Sequence, residues 1–202
     1  MQTPNFLRTL LQSNKYWDIN SVEHRKANNM NDKHFDQAYE QLKKREGGYT
    51  DGKNQRKDEP TNMGIKQSTL NAYSAKHPEQ NLPQSVQDLT QTHAKEIYKS
   101  EYWDNTRIPQ IENDRIRNAV FDMNVMGGAG KVIQQALNSF SGVNLQVDGV
   151  IGKNTIDALN AISDAQVPNF ISTIKSERIN YLRNTRNWET AKRGWIKRTN
   201  TY

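Results

Sequence analysis

The chain contains no cysteine. That excludes disulfide bridges, thiol catalysis and cysteine-ligated metal, and leaves the redox compartment open. It also lacks long apolar runs. No stretch approaches the roughly 18 to 20 residues of a membrane span, so no transmembrane segment is expected. At its N-terminus there is no basic region followed by an apolar core and a small-residue cleavage site, so a secretory signal is not expected either. Histidine is scarce: His24, His34, His77 and His93 show no metal-ligand spacing, and no Gly-rich phosphate loop is present. Fixed-period repeats and strand-like alternation are missing too, which excludes a solenoid and points away from β folds.

What is present is a polar, basic, helical sequence. Its 202 residues suit one domain of ordinary size or a domain with a small appendage. With 34% hydrophobic and 25% charged residues it reads as globular with a modest core. A net charge of +6 favours a polyanionic partner such as a cell-wall polymer, an anionic lipid or nucleic acid. The basic residues are scattered, apart from Lys192, Arg193, Lys197 and Arg198, so the charge suggests solubility and long-range attraction more than a specific groove.

Residues 1–32 read as an N-terminal arm, with Trp17 placed to pin it to the body. Asp32 reads as the N-cap of a helix over 33–45 that buries Phe35, Ala38, Tyr39 and Leu42. Gly47-Gly48 would end this helix in the left-handed conformation. A polar loop or short hairpin follows to Pro60. Further helices are expected at about 67–77, from Thr90 to Tyr102-Trp103, from Asp114 to Gly127, through Ala129–Phe140, through Ile156–Ile162 and over 164–185. The tail holds Trp188 and Trp195 in a basic context. The fold class is mainly α, seven or eight helices, with at most a small hairpin.

The stretch with most chemical content is Arg45-Glu46-Gly47-Gly48-Tyr49. A carboxylic acid at a helix end, leaning over a partly apolar surface, would have its charged form desolvated and keep a proton available. Cleavage of a glycosidic bond needs such a group; an ordinary solvated glutamate is the commoner fate of a lone Glu-Gly-Gly. Thr61, fifteen residues on, could hold a water through its hydroxyl, or could simply serve the backbone of the following helix. Asp51 and Asp58 are the available second carboxylates, although Asp before Gly is often only a turn residue. Tyr49, Asn62, Trp103 and Asn124 are the candidates to bind a sugar chain. For Trp103 a place in the core is the commoner outcome, and Asp122 and Asn124 read first as hydrogen-bonding ties between helices.

Together, Glu46-Gly47-Gly48-Tyr49 and Pro60-Thr61-Asn62-Met63-Gly64-Ile65 resemble the signature of glycoside hydrolase family 108, bacterial and phage N-acetylmuramidases. Tyr98 with Tyr102-Trp103-Asp104, and Phe121-Asp122-Met123-Asn124 with Gly127, are similar to further motifs in the family's order. Gln135-Ala136-Leu137-Asn138 through Asp148-Gly149-Val150-Ile151-Gly152 and Thr155 resemble its predicted peptidoglycan-binding module, and Gly194-Trp195 with Arg198 its closing motif. The resemblance implies that Glu46 is the essential acid. It also implies a lysozyme-like helical fold with a β-hairpin beside the cleft over 33–126, and a helical peptidoglycan-binding module over 127–202. The family's loop aspartate and glycines are not reproduced between Asp51 and Glu59, and the position nine after Glu46, aspartate in phage-type lysozymes, is Gln55.

The expectation is therefore a muramidase acting on peptidoglycan glycan strands as a monomer, with no cofactor, no metal and no nucleic-acid partner. It would be made in the cytoplasm and reach the wall, in the periplasm or outside, by a holin-like or other non-signal route. Three rivals predict different outcomes. A lytic transglycosylase using the same Glu46 would leave anhydro sugars, a non-catalytic wall-binding protein would bind without lysis, and a basic nucleic-acid binder would show salt-sensitive retention of DNA.

Overall fold

The computed structural model describes residues 27–52 and 59–202. Within them lie eight α-helices and one two-stranded sheet. Helix α1 covers residues 27–43 and buries Phe35, Ala38, Tyr39 and Leu42. It starts earlier than Asp32, because nothing between residues 27 and 32 breaks a helix. Asp32 lies inside it and pairs with Lys99 at 3.2 Å. The rest of the expected arm, with Trp17, is outside the described residues.

The β element is a hairpin, Thr61–Asn62 (β1) paired antiparallel with Ile65–Lys66 (β2). Its turn is Met63-Gly64, and both residues take positive φ, +48° and +76°. Residues 53–58 of the expected hairpin over 49–61 lie outside the described residues. From that loop, Thr50 joins the sheet through a single antiparallel bridge to Thr61. Helix α2 (Gln67–Lys76) follows at once. Lys66 gives it no side-chain cap, but the Glu59 carboxylate accepts from the Ser68 N–H at 2.8 Å and fills that role from outside the helix.

Helix α3 (Gln91–Lys99) has the capping box of Thr90 and His93. It runs on as a π-helical turn, Ser100–Asp104, which drives Trp103 into the core. There Trp103 meets Phe35 and Phe121 edge-on at centroid distances of 5.5 and 5.3 Å. Helix α4 (Asp114–Met126) is capped by Asn113, whose side chain accepts from Arg115 and Ile116 N–H. It ends on Gly127-Gly128, both at positive φ.

Helices α5 (Ala129–Ser141), α6 (Lys153–Asn160), α7 (Val167–Arg183) and α8 (Trp188–Thr199) form the second half. Helix α5 packs on α4 and α7, and α8 folds back along α7. Val132, Ile133 and Leu137 are fully buried in that interface. Gly130 is required there, since a Cβ would overlap the Gly149 carbonyl. The turn at 148–150 is knotted to α5 through Gln134, which donates to Asp148 Oδ1 at 2.7 Å and accepts from Gly149 N at 2.8 Å.

One apolar cluster runs through both halves, from Phe35 and Leu42 to Phe170 and Ile174. Arg178 strengthens the seam, its buried guanidinium donating to the Gly127 carbonyl at 2.7 Å. The C-terminal helices are therefore fixed in orientation against the first half. The tail expected from the sequence is the ordered helix α8, which ends beside the opening of α4.

Candidate active site

Glu46 lies just beyond the end of α1. A turn at 44–45 carries it there, with Arg45 N–H donating to Leu42 and Glu46 N–H donating to Lys43. Neither Gly47 nor Gly48 takes positive φ, so the expected left-handed stop is not used; the helix has already ended at residue 43. Nothing stands within 4 Å of where a Cβ would sit on either glycine. What these two residues contribute is open space beside the carboxylate.

The Glu46 side chain is 13% exposed. Its Oε1 accepts from Arg198 Nη2 at 3.0 Å. The expected apolar surroundings are thus replaced on one side by a guanidinium 152 residues away in sequence. On another side Gly64 comes so close that a Cβ there would overlap Glu46 Oε2 and Tyr98 Oη. Positive φ and this proximity both favour glycine at position 64. Tyr98 donates to the Met63 carbonyl at 3.0 Å, locking the hairpin turn against α3.

Tyr39, Tyr98 and Tyr102 form a second face of the site, with ring centroids 5.8 and 5.7 Å apart in sequence order. Burial, and then the charges of Glu40 and Glu46, push the Tyr39 phenol up to about 12. Burial and Glu46 also raise Tyr98, and burial with Glu101 and Glu46 raises Tyr102. All three remain neutral hydroxyls at any physiological pH.

Arg198 is held independently of Glu46. Its Nε donates to both oxygens of Asp122, at 3.2 and 3.0 Å, and Nη2 donates to Oδ1 at 2.9 Å. Asp122, only 2% exposed, also accepts from Arg45 Nη1 at 3.0 Å and from Tyr202 Oη at 2.9 Å. Burial alone would lower the Arg198 guanidinium, but Asp122 and then Glu46 outweigh it and hold the group above its usual range. Burial and the Asp122 charge likewise raise the Tyr202 phenol. The result is one chain of contacts, Tyr202–Asp122–Arg198–Glu46, with Arg45 attached, linking α1, α4 and α8.

Glu46 lines two hollows and is the residue they share. The larger, about 840 Å³, is bounded by Glu46, Thr61 and Gly64 on one side and by Trp195, Lys197 and Arg198 of α8 on the other. The smaller, about 170 Å³, is lined by Gly47, Gly48, Met63, Gln91 and two of the tyrosines, Tyr39 and Tyr98. Among the described residues, Glu46 is the one carboxylate that lines either of them.

The remaining expected site residues are dispersed. Thr61 is nearly buried on β1, donates to the Glu59 carbonyl at 3.4 Å and lines the large hollow. Asp51 is exposed beside Thr50, and Asp58 lies outside the described residues. Tyr49, 45% exposed, presents its ring to solvent. Asn62 and Trp103 cannot contact a sugar as expected. Asn62 is buried and spends its amide on the Val86 carbonyl at 2.8 Å. Trp103 is fully buried, its indole N–H donating to Asn31 at 2.7 Å. Asn124 is half-buried and donates to the Tyr102 carbonyl at 3.3 Å, tying α4 to the π turn.

Sequence reasoning gave Arg45, Arg198 and Tyr202 no role beside the acid, and read Asp122 first as a tie between helices. The one available signal was the closing motif around Gly194-Trp195 and Arg198. Among the described residues no group of three or more His, Asp or Glu could hold a metal ion, and no helix is long and apolar enough to cross a membrane.

Residues 39–128 match the family model described as glycosyl hydrolase 108, and residues 129–200 match the one described as a predicted peptidoglycan domain. The fold is similar to the solved structure of Brucella abortus SagA, at 26% sequence identity and a TM-score of 0.64. That likeness covers 83% of this chain and 90% of SagA's. Comparison with curated proteins gives no match.

Proposed function

We propose that the chain, whose residues 39–128 match the model of glycosyl hydrolase 108 and residues 129–200 that of a predicted peptidoglycan domain, is a peptidoglycan hydrolase of that family, an N-acetylmuramidase with Glu46 as its general acid. The bond cleaved is the β-1,4 link between N-acetylmuramic acid and N-acetylglucosamine. One observation carries this reading: Glu46 is the carboxylate at the divide between the two hollows, where a strand crossing the site would place a glycosidic oxygen.

As general acid, Glu46 gives a proton to the departing oxygen as positive charge develops on the sugar ring. The carboxylate left behind is received by Arg198, which Asp122 holds in place, so no reorganisation is needed at that moment. Thr61, in the wall of the same hollow, is the residue placed to hold the attacking water. Asp51 and Asp58 are the carboxylates of the neighbouring loop that could serve as base. Asp122 does not fill that role, being buried and already bonded to three donor residues. On this reading the protein acts at the wall, in the periplasm or beyond it.

A second reading rests on Glu46 being the one carboxylate of the hollows among the described residues. A lytic transglycosylase needs only one, because the sugar's own 6-hydroxyl replaces water. Mass spectrometry of digested wall separates the two: reducing muropeptides support the hydrolase, and 1,6-anhydro products as the main species support the transglycosylase. Glu46→Gln tests both. It is expected to lower clearing of a wall suspension by about 100-fold or more while wall binding persists. Unchanged lysis would end the assignment of Glu46.

A further inference from the structure

The larger hollow beside Glu46 is built from both halves of the chain. Thr61, Gly64 and Glu46 form one wall, and α8 forms the other. At about 840 Å³ it lies within the size range of small-molecule sites, and is far larger than the hollow on the opposite side of Glu46. Among the described residues its lining carries five cations, Lys44, Arg45, Lys66, Lys197 and Arg198, against the single carboxylate of Glu46. Arg45 and Arg198 are spent on Asp122, and Lys66 lies 3.4 Å from Glu59. Lys44 and Lys197 are exposed at the rim. Trp195, half-buried one turn of α8 before Arg198, supplies the aromatic surface.

We propose that α8 is the outer wall of the substrate cleft, with Trp195 as the platform for one sugar ring and Lys197, with Lys44, as the site for a carboxylate carried by the glycan. The proposal rests on the reading of Glu46 as the acid and adds what lies on one side of the scissile bond. An indole offers a large flat apolar face suited to the C–H face of a pyranose, and retains an N–H for a hydroxyl. The two lysines select a strand bearing anions, namely the lactyl group of N-acetylmuramic acid or the acids of its peptide stem, over a neutral polymer of the same backbone. The C-terminal half is thus part of the catalytic groove and not a separate tether. The physical reason is that α8 packs along α7 and is tied to Asp122 of α4 through Arg198 and, just beyond its end, Tyr202.

Three full-length variants test this against soluble peptidoglycan fragments and against a chitin oligosaccharide, which carries no carboxylate. Trp195→Ala is expected to raise KM about tenfold with kcat little changed and to weaken binding of both ligands. Trp195→Phe should restore most of that loss. Lys197→Ala is expected to weaken binding of the acidic fragment alone, by about three- to fivefold at low salt and not at all at high salt. Binding is read by intrinsic fluorescence, which does not depend on turnover. Unchanged KM and binding in Trp195→Ala, with the unsubstituted protein active, would overturn the subsite while leaving Glu46 as the acid. Equal loss of both ligands in Lys197→Ala would overturn the carboxylate assignment. Lysis unaffected by Glu46→Gln would fall on the acid assignment, and the fluorescence titrations would still decide the subsite.

Discussion

The contact between Arg198 and the pair Asp122 and Glu46 is the strongest single test of how the two halves make one site. Arg198→Ala removes four donated hydrogen bonds, three to Asp122 and one to Glu46. Asp122, 2% exposed in the parent chain, keeps Arg45 and Tyr202 as its remaining donors. Removing one partner of a buried ion pair costs roughly 3–5 kcal/mol, because the other charge stays desolvated. The two surviving donors put this case near the lower end, about 3 kcal/mol. For a chain of this size each kcal/mol lowers the melting temperature by roughly 2–4 °C, so a drop of about 6–12 °C is expected. Thermal melts followed by circular dichroism at neutral pH read it directly. A coupled measurement separates this cause from general damage to α8. Asp122→Asn removes the charge that Arg198 serves, so Arg198→Ala in that background should cost at least about 1 kcal/mol less than in the parent chain. A melting change under about 2 °C, or additive single substitutions, would refute the buried-pair account.

Two other outcomes follow from particular contacts. Gly64→Ala combines a strained positive φ with a methyl group driven into Glu46 Oε2 and Tyr98 Oη. Wall-clearing activity should fall at least about tenfold with a smaller effect on folding, and parental activity in a folded variant would show that Glu46 need not sit there. Asp148 is held below the usual carboxylate range first by the Gln134 side chain and then by the Val150 N–H. A depressed carboxylate stabilises the folded state above its unfolded value, near 3.8, and loses that contribution as pH falls further. Asp148→Ala should therefore melt earlier than the parent at pH 6, and the gap should shrink below pH 4; a gap that grows on acidification would contradict the sign.

Much of the helical framework was legible because helices announce themselves locally. The spacing of Val132, Ile133, Ala136 and Leu137, the Thr90 and Asn113–Asp114 starts and the Gly127-Gly128 break all act within a few residues. Where the reading missed, the deciding force was not local. Helix α1 begins before Asp32 because a good N-cap residue does not stop a helix that is already running. Gly47-Gly48 resemble a helix stop, yet residues 44–45 had turned the chain first. The turn at Met63-Gly64 gave no local signal, because Met63 is an unusual residue at positive φ, held by the Tyr98 hydroxyl.

The sequence by itself determined the fold class, the family signature and the acid put forward for catalysis. Those rest on hydrophobic periodicity and on a short contiguous motif around Glu46. Only the tertiary structure decided what faces that acid. Asn62 and Trp103 were withdrawn from the cleft by burial, which depends on what packs above them. Arg198 and Trp195 were brought to it by the packing of α8 along α7 and by the bonds of Arg198 and Tyr202 to Asp122 of α4. Contacts between residues 152 positions apart have no period and no spacing, so they exist only once the apolar faces have been buried together.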